Sequence, residues 1–470
     1  MREFIDMWEG KMRIRLGCAA SIVLMTAAVA CADDDGLAIA VPPVNPIGSA
    51  QEPIFVGPLS DAGKWLHDSG IDIHLDYVDI YQNAPSFGFE GGSSANYGMF
   101  VFGATGNLTP DLRIKWVETI NYPSYNTDNY LFDLSNAFFP VPVVDSRTDL
   151  TRLTVEADLL DDRLQIEAGR MGLGQDFMTR GFCGGLGCLN STLATTLNMP
   201  GEALSVWGAR AGYHFTPNTA IGFGIVEDNP DNWQEGNGWD WGKGDAEGVI
   251  AIANLTHQES FFDNPNPLKF ELGAYYRSTR YEDALYNSGW GNPTFGPAPT
   301  IVEHEGTTGV YGQVRKVVWS APGAGPVPEN IALYGGLFHT FGDGQAYPWE
   351  AYAGVEYSGF WAENPVATIG ASIHYIGLSE KRAEYERNAR LFFSGIDEKQ
   401  PRDTFMFDVH GSVGLFEHGV LDLGAAYIVN PNTSVLADYS SGRQKDGFVF
   451  YATLAFDISG GLGLSPLRRP

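Results

Sequence analysis

The stretch Gly447–Ile458, GFVFYATLAFDI, decides how the rest of the chain is read. Phe448, Phe450, Ala452, Leu454, Phe456 and Ile458 share one parity, and Val449, Tyr451, Thr453, Ala455 and Asp457 share the other. Side chains of a strand alternate between faces, so this is an extended segment with one large, almost wholly apolar face. A tilted strand of about 9–11 residues crosses a bilayer. One such strand also fits the core of a soluble sheet, so the decision rests on whether the pattern repeats and what lies on the opposite faces.

The pattern repeats. Phe270, Leu272, Ala274 and Tyr276 oppose Lys269, Glu271, Gly273, Tyr275 and Arg277; Trp349, Ala351, Ala353, Val355 and Tyr357 oppose Glu350, Tyr352, Gly354, Glu356 and Ser358. Leu153, Val155, Ala157 and Leu159 alternate with Arg152, Thr154, Glu156 and Asp158, and Leu164, Ile166 and Ala168 with Gln165 and Glu167. Charged residues on the second face of strand after strand suit a wet lumen and not the dry interior of a sandwich. The first face holds aliphatic residues in mid-strand and aromatic residues near the ends, an apolar band between girdles.

Further strands are predicted at Ile71–Tyr77, Tyr97–Asn107, Leu112–Ile120, Ala209–Phe215, Ile221–Ile225, Gly248–Thr256, Thr307–Trp319, Ile331–Thr340, Ala367–Ile376, Thr404–Gly414 and Gly419–Val429. Ser434–Ser440 is a marginal seventeenth, and because bacterial single-chain barrels have even counts the expectation is about 16. Short connections (LTPD, Asp161-Asp162, TPN, Asn430-Pro431-Asn432) alternate with long ones (Asn121–Thr148, Gly172–Glu202, Glu227–Ala246, Asn287–Glu303, Gly377–Arg402). Short turns at one rim and long loops at the other are a membrane-barrel signature. The last strand then closes against Ile71–Tyr77, which leaves no strand edge unpaired in lipid.

Composition agrees. The 470 residues include 57 Gly, 28 Phe, 21 Tyr and 11 Trp, with only 18% charged residues and a mean hydropathy of −0.13. That average is too low for a helical membrane protein, but alternation hides a barrel from it. The net charge of −28 repels nucleic acid and, in a pore, favours cations unless basic residues gather at the constriction.

The N-terminus reads as a secretory signal over residues 1–32. Arg13 and Arg15 are basic, Leu16–Val29 is apolar and too short to anchor as a helix, and Ala30-Cys31-Ala32 resembles a cleavage site. Met12 is an alternative start, and Ala28 fits poorly with lipidation at Cys31. Residues 33–69 form a Pro-rich lead-in with a short helix near Leu59–Ser69 capped by Ser60. Residues 70–458 are assigned to the barrel and 459–470 to a tail of undetermined placement. In an exported protein, Cys183 and Cys188 in the glycine loop GFCGGLGCLN pair as a disulfide.

Several segments in order resemble the carbohydrate-selective, OprB-like porins of bacterial outer membranes: GIDIHLDYVDIYQNAPSFGFEGG, GRMGLGQDF (Gly169–Phe177), Pro200–Tyr213 with its WGARAGY, GVYGQV (Gly309–Val314), AGVEYSG (Ala353–Gly359) and AAYIVNP (Ala425–Pro431). The chain departs from that pattern at His339, where the family tends to be basic, at AENPVATIG, which replaces an Arg-Pro-x-x-Asp element, and in continuing past Phe456. The resemblance implies a Gram-negative outer-membrane channel for sugars, surrounded by outer-membrane lipid.

Within such a barrel, Gly172–Glu202 is the candidate inward-folded constriction loop. The candidate pore residues are Arg170, Asp176, Arg180, Trp207, Arg210 and His214. Arg210 and His214 oppose Ala209, Ala211, Tyr213 and Phe215 and so face the lumen, where an arginine fork beside a carboxylate such as Asp176 can bind sugar hydroxyls. The bland alternative is that these arginines tie the loop to the wall. Arg170 shares parity with Ile166 and Ala168 and reaches the pore only if the strand ends or bulges near Gly169. Trp207 offers a stacking face for a pyranose, but its parity also fits a membrane girdle. The loop Glu227–Asp245, with Trp233, Trp239 and Trp241, lacks calcium-loop spacing. Hydrolase, metalloprotease and P-loop motifs are missing, and Glu303-His304-Glu305 reads equally well as a strand-end cluster.

The sequence therefore predicts an all-β, antiparallel transmembrane β-barrel of about 16 strands. It predicts a passive porin for sugars and similar small polar solutes, with no enzymatic activity, no cofactor and no metal. The alternatives are a porin for cations or other polar nutrients, and a secreted soluble β-sandwich that binds or cleaves glycans. A homo-oligomer is compatible with either porin reading.

Overall fold

The computed structural model describes residues 53–466 except 90, 126–146, 179–180, 190–204, 230–236, 243–245, 287–301, 323–327, 343–344, 400 and 432–442. The signal segment, Arg180 and Ser434–Ser440 lie outside the described residues.

Sixteen strands close into one antiparallel barrel in which each pairs with its sequence neighbours and β1 pairs with β16. They are β1 (Ile71–Ala84), β2 (Ser93–Thr109), β3 (Leu112–Tyr125), β4 (Arg147–Leu159), β5 (Leu164–Met171), β6 (Val206–Thr216), β7 (Thr219–Asp228) and β8 (Gly248–Gln258). The second half comprises β9 (Leu268–Glu282), β10 (Glu303–Ser320), β11 (Asn330–Phe341), β12 (Trp349–Ser358), β13 (Thr368–Gly377), β14 (Asp403–Leu415), β15 (Gly419–Val429) and β16 (Gly447–Asp457). Closure satisfies every strand edge within the sheet, the condition for β-structure in hydrocarbon. Among the described residues no helix is long and apolar enough to cross a membrane.

The faces are arranged as alternation requires. In β16, Phe448 and Phe450 are 48% and 49% exposed on the outside, while Val449, Tyr451 and Ala455 are buried within. Leu272, Val310, Leu333, Ile369 and Val409 are likewise exposed. Glu271, Gln313, Glu356, Asp408 and His410 are buried inward. A soluble sandwich would bury the apolar set, so that alternative is overturned.

Each of the sixteen expected strands falls on an observed one, with three adjustments. β1 runs on to Ala84, and β16 pairs with Asp76–Asn83 rather than with Ile71–Tyr77 as a whole. Asn430-Pro431 is no tight turn: it opens the long connection from β15 to β16. Gly377–Arg402 contains a helix, Glu380–Ser394, capped at Ser379 by its side chain accepting from the Arg382 amide and ended by Gly395 in the left-handed region. Its polar periodicity lacks the apolar stripe by which surface helices are recognised.

The N-terminal helix α1 (Ser60–Asp68) begins one residue earlier than expected. Leu59, not Ser60, occupies the cap position and makes no side-chain cap bond. After Glu380–Ser394, here α2, the last helix α3 (Ile458–Leu462) is capped by Asp457, whose Oδ1 accepts from the Gly460 amide at 2.7 Å. The tail thus turns back onto α1, where the Leu59 amide donates to the Leu462 carbonyl at 2.8 Å. Gly63 permits the approach, since a Cβ there would lie 2.1 Å from the Gly463 carbonyl oxygen. The helices α1 and α3 meet beside the β1–β16 seam, at the rim of short turns.

Candidate constriction and pore-lining site

The connection after β5 enters the lumen and follows its wall. It begins as a single 3-10 turn, Leu173–Gln175, with Leu173 and Phe177 against Gly222 and Gly224 of β7. The Met178 amide then donates to Glu271 of β9 at 2.8 Å, Lys269 of β9 donates to the Gly181 carbonyl at 3.4 Å, and Arg315 of β10 donates to the Phe182 carbonyl at 3.5 Å. Farther on, the Leu186 amide donates to the Tyr451 hydroxyl of β16 at 3.0 Å and to Asp408 of β14 at 3.4 Å. The loop is thereby tied to five strands across half the circumference. Its apolar side chains pack on an inward aromatic bed of Tyr275, Tyr311, Tyr334, Phe338 and Tyr352.

Cys183 and Cys188 are bonded, as the exported context requires. The hexapeptide they close is pressed onto two histidines. A Cβ at Gly185, whose φ is +88°, would sit 2.2 Å from Asp408 Oδ1; one at Gly184 would lie 2.8 Å from His410 Nε2, and one at Gly187 2.4 Å from the His374 ring. His410 Nδ1 and Asp408 Oδ1 are 2.6 Å apart. Glycine spacing, together with the disulfide, shapes the tip to this seat.

At its root the loop is held by charge. Asp176 accepts from Arg152 Nη2 at 2.7 Å and lies 3.2 Å from Arg210 Nε. Arg210 also donates to Glu167 at 2.5 Å and to Glu156 at 2.9 Å, and Arg152 approaches Glu167 at 3.4 Å. Lys115 reaches Glu156 at 3.1 Å; Arg113 reaches Glu156 at 2.5 Å and also bonds Asp158. Four cations on β3, β4 and β6 thus interleave with carboxylates of β4, β5 and the loop. Glu156 and Glu167 are wholly buried, whereas Arg113 keeps 28% of its side chain open and Arg210 16%. Such a ladder offers directed donors and acceptors along a wall while leaving no large net charge.

The sequence-derived candidates divide. Arg210 and Asp176 are brought together. His214 shares Arg210's face but lies two residues from the end of β6, at the short-turn rim and away from the constriction. Arg170 does not reach the pore. Pairing through β4, β5 and β6 continues without a bulge past Gly169, so Arg170 keeps its outward parity, bonded to the Ser205 carbonyl at 2.5 Å and near Glu227 at 3.4 Å. Its guanidinium lies 5.6 Å from the ring centre of Trp207. Trp207 is 45% exposed on the outer face, 5.7 Å from the Trp241 ring, so it belongs to the girdle and offers no stacking face inside. His339 also stands outward, stacked on Trp349 at 3.7 Å. Sequence reasoning passed over Arg113, Lys115, Arg152, Glu156 and Glu167 as site residues. Their signal was present: charged residues of inward parity on three consecutive strands.

Comparison with known proteins is consistent with this geometry. The family model of the carbohydrate-selective porins, OprB family, matches residues 87–405, more than half of the 470-residue chain. Porin B of Pseudomonas aeruginosa is 30% identical over 152 residues, covering 31% of this chain and 32% of that protein. The putative porin QuiX of Acinetobacter baylyi is 27% identical over 146 residues, 28% of this chain and 32% of that one. The chain therefore aligns with about a third of the length of these curated relatives. The high-pH structure of Pseudomonas putida OprB superposes with a TM-score of 0.71 at 19% identity, over 87% of this chain and 100% of that one. The low-pH structure of the same protein gives 0.52 at 14% identity, over 87% and 99%. These superpositions concern the fold alone.

Proposed function

The chain belongs to the carbohydrate-selective porin family, and on that footing we propose that it passes sugars and similar small polar solutes by diffusion across the Gram-negative outer membrane. The observation that carries this reading is the loop at Leu173–Leu189, pinned across the lumen with an acid–base ladder at its root. A sugar needs many weak, directed hydrogen bonds, and a passage must not hold it tightly. Interleaved arginines, a lysine and carboxylates supply such contacts at closely spaced steps. Arg113 and Arg210 are the residues of the ladder best placed to meet a solute, because they retain exposure beside buried partners. Family and fold are those of transport channels, and the reading needs no catalytic group, cofactor or metal. Assembly into a homo-oligomer is part of the proposal.

The test is reconstitution in a planar bilayer. Open conductance should fall when sugars are added, and Arg113→Ala should weaken that block while leaving the barrel folded. Well-folded protein without channels would overturn the porin reading. Channels blocked by no sugar would overturn the substrate class, and a strong preference for cations would favour the alternative suggested by the net charge of −28.

A further inference from the structure

Aromatic residues ring the outer wall at the rim of long loops, and they are covered unequally. On β6, Trp207 packs against Trp241 and Arg170. On β12, Trp349 is stacked on His339 and is 42% exposed. Beside it lies a cleft of about 250 Å³ lined by Pro348, Trp349, Tyr375, Leu378, Arg402 and Asp403. Trp349 opens β12, Gly377 ends β13 and Asp403 opens β14, and the three are neighbours in register. All three take outward parity, as does Tyr375. The cleft therefore faces out of the barrel and not into the pore. Long loops of bacterial barrels lie on the extracellular side, so this is the depth of the outer-leaflet headgroups.

Two charged groups in the cleft have bonding capacity left. Arg402 Nε donates to the Leu378 carbonyl at 3.1 Å, and the Leu378 amide donates to the Arg402 carbonyl at 2.7 Å, which fixes the guanidinium at the neck of the loop 378–402. Arg402 Nη1 lies 3.7 Å from Glu380 Oε2, beyond hydrogen-bonding reach, and neither Nη bonds an acceptor among the described residues. Asp403 Oδ1 accepts from the Tyr375 hydroxyl at 2.8 Å, whereas Oδ2 accepts from none of the described residues. The side chain of Arg402 is 48% exposed. A planar fork of donors thus stands beside a carboxylate oxygen in a cleft walled by Trp349 and Tyr375. Such a set suits a sugar ring: its hydroxyls bond the fork and the carboxylate, and its apolar C–H face lies against an aromatic ring. Asp403 and Glu380 leave Arg402 no positive excess, which favours hydroxyls over a bare phosphate. Farther down the same strands, the outward Val355, Ile373 and Phe407 are exposed, a wall for acyl chains.

We propose that this cleft binds one sugar ring of a glycolipid headgroup of the outer leaflet. The lipid-borne source follows from placement. A free sugar gains only the contacts within the cleft, whereas a glycolipid also lays its chains on the apolar wall directly below. Arg402 and Asp403 bond the hydroxyls, and Trp349 or Tyr375 meets the C–H face. Leu378 and Arg402 are the two ends of the loop that carries α2, so the bound headgroup clasps the neck of that loop. The inference stands apart from the transport reading, because the cleft opens outward and away from the ladder and the constriction.

The test uses the full chain, delipidated in a detergent that carries no sugar, with native mass spectrometry reading what each barrel retains. The probes are rough-type lipopolysaccharide, the oligosaccharide left when it is deacylated, phosphatidylethanolamine and inorganic phosphate. Wild-type protein should retain lipopolysaccharide at concentrations where the oligosaccharide and phosphatidylethanolamine are lost, and inorganic phosphate should not displace it. Arg402→Gln and Asp403→Asn should each weaken retention roughly tenfold, the loss of one hydrogen bond to a charged group. Arg280→Gln, at an exposed arginine near the end of β9, should not. Five results overturn the proposal: no lipopolysaccharide retained, retention undiminished in Arg402→Gln/Asp403→Asn, equal weakening by Arg280→Gln, oligosaccharide held as tightly as the glycolipid, or displacement by inorganic phosphate. The last two would mark a free-sugar site and an anion site. Heat-modifiable migration of each variant shows that the barrel is folded, so weakened retention is read as loss of contact.

Discussion

The constriction loop is held at its root and at its tip by opposite means. At the root, Asp176 enters a lattice of Arg152, Arg210, Glu156 and Glu167, held together by contacts between full charges. At the tip, Gly184, Gly185 and Gly187 lie against His410, Asp408 and His374, and what counts is the absence of side chains. The root is strong only while complete, because removing one buried charge leaves its partner unpaired in a low dielectric. The tip tolerates no added volume. One region fails when something is taken away and the other when something is added.

The largest effect is expected at the root. Glu167→Ala removes the buried carboxylate shared by Arg152 and Arg210, leaving them to Asp176 and Glu156, and breaking a buried pair costs up to about 3–5 kcal/mol. The temperature at which the folded band is lost on a gel should fall sharply. A variant melting with the wild type would show that water already screens the ladder.

The tip should respond differently. Gly185→Ala places a methyl group on Asp408 in a backbone region that costs L-residues roughly 1–2 kcal/mol and should lift the hexapeptide from its seat. The expected result is a wider channel with weaker sugar block and little change in melting. Unaltered conductance would show that the tip does not set the aperture.

A smaller effect is expected outside the membrane. Asp283, just past β9, lies 2.6 Å from Lys381 of α2 and 2.8 Å from His304. Burial alone would raise its carboxyl, but the bonds from Lys381, His304 and the amides of Leu285 and Tyr286 hold it well below the ordinary value of 3.8. A depressed carboxylate contributes stability that is full above the unfolded value and is lost as pH falls through the folded one. The latch between α2 and β9 should therefore hold from neutrality down past pH 3.8 and release only in stronger acid. Lys381→Met should cost less than about 1 kcal/mol and speed proteolysis of 378–402 at neutral pH; an unchanged digestion rate would show that other contacts secure the helix.

The smallest effect should follow Trp207→Phe. The ring stands among Trp241 and Arg170 on the outer face, so sugar block should be unchanged. A changed block would return Trp207 to the pore.

Much of this was legible beforehand because a strand's period is local. Parity alone placed Arg210 inside and put Ala209, Ala211 and Tyr213 outside, and it already warned that Arg170 needed a bulge that the structure lacks. Parity also exposed Glu156 and Glu167 as inward carboxylates, but gave no distance to Arg210, which comes from neighbouring strands. The helix Glu380–Ser394 escaped notice because its apolar residues, such as Ala383, Ala389 and Leu391, form no continuous stripe. His214 was assigned the correct face at the wrong height, since alternation carries no information about depth.

The sequence by itself determined the inside and outside of this barrel, because a residue's face depends only on its position along its own strand. Register, depth along the barrel and the path of the loop were decided by tertiary structure. Asp408 meets Leu186 across 222 residues, and Tyr451 meets it across 265. Contacts of that span depend on the register of every intervening strand. The opening segment Gly447–Ile458 marks the division: its alternation announced an apolar outer face and its place at the end of the barrel named the first strand as its partner, but only the closed sheet fixed the register, Asp76–Asn83 against Phe450–Asp457.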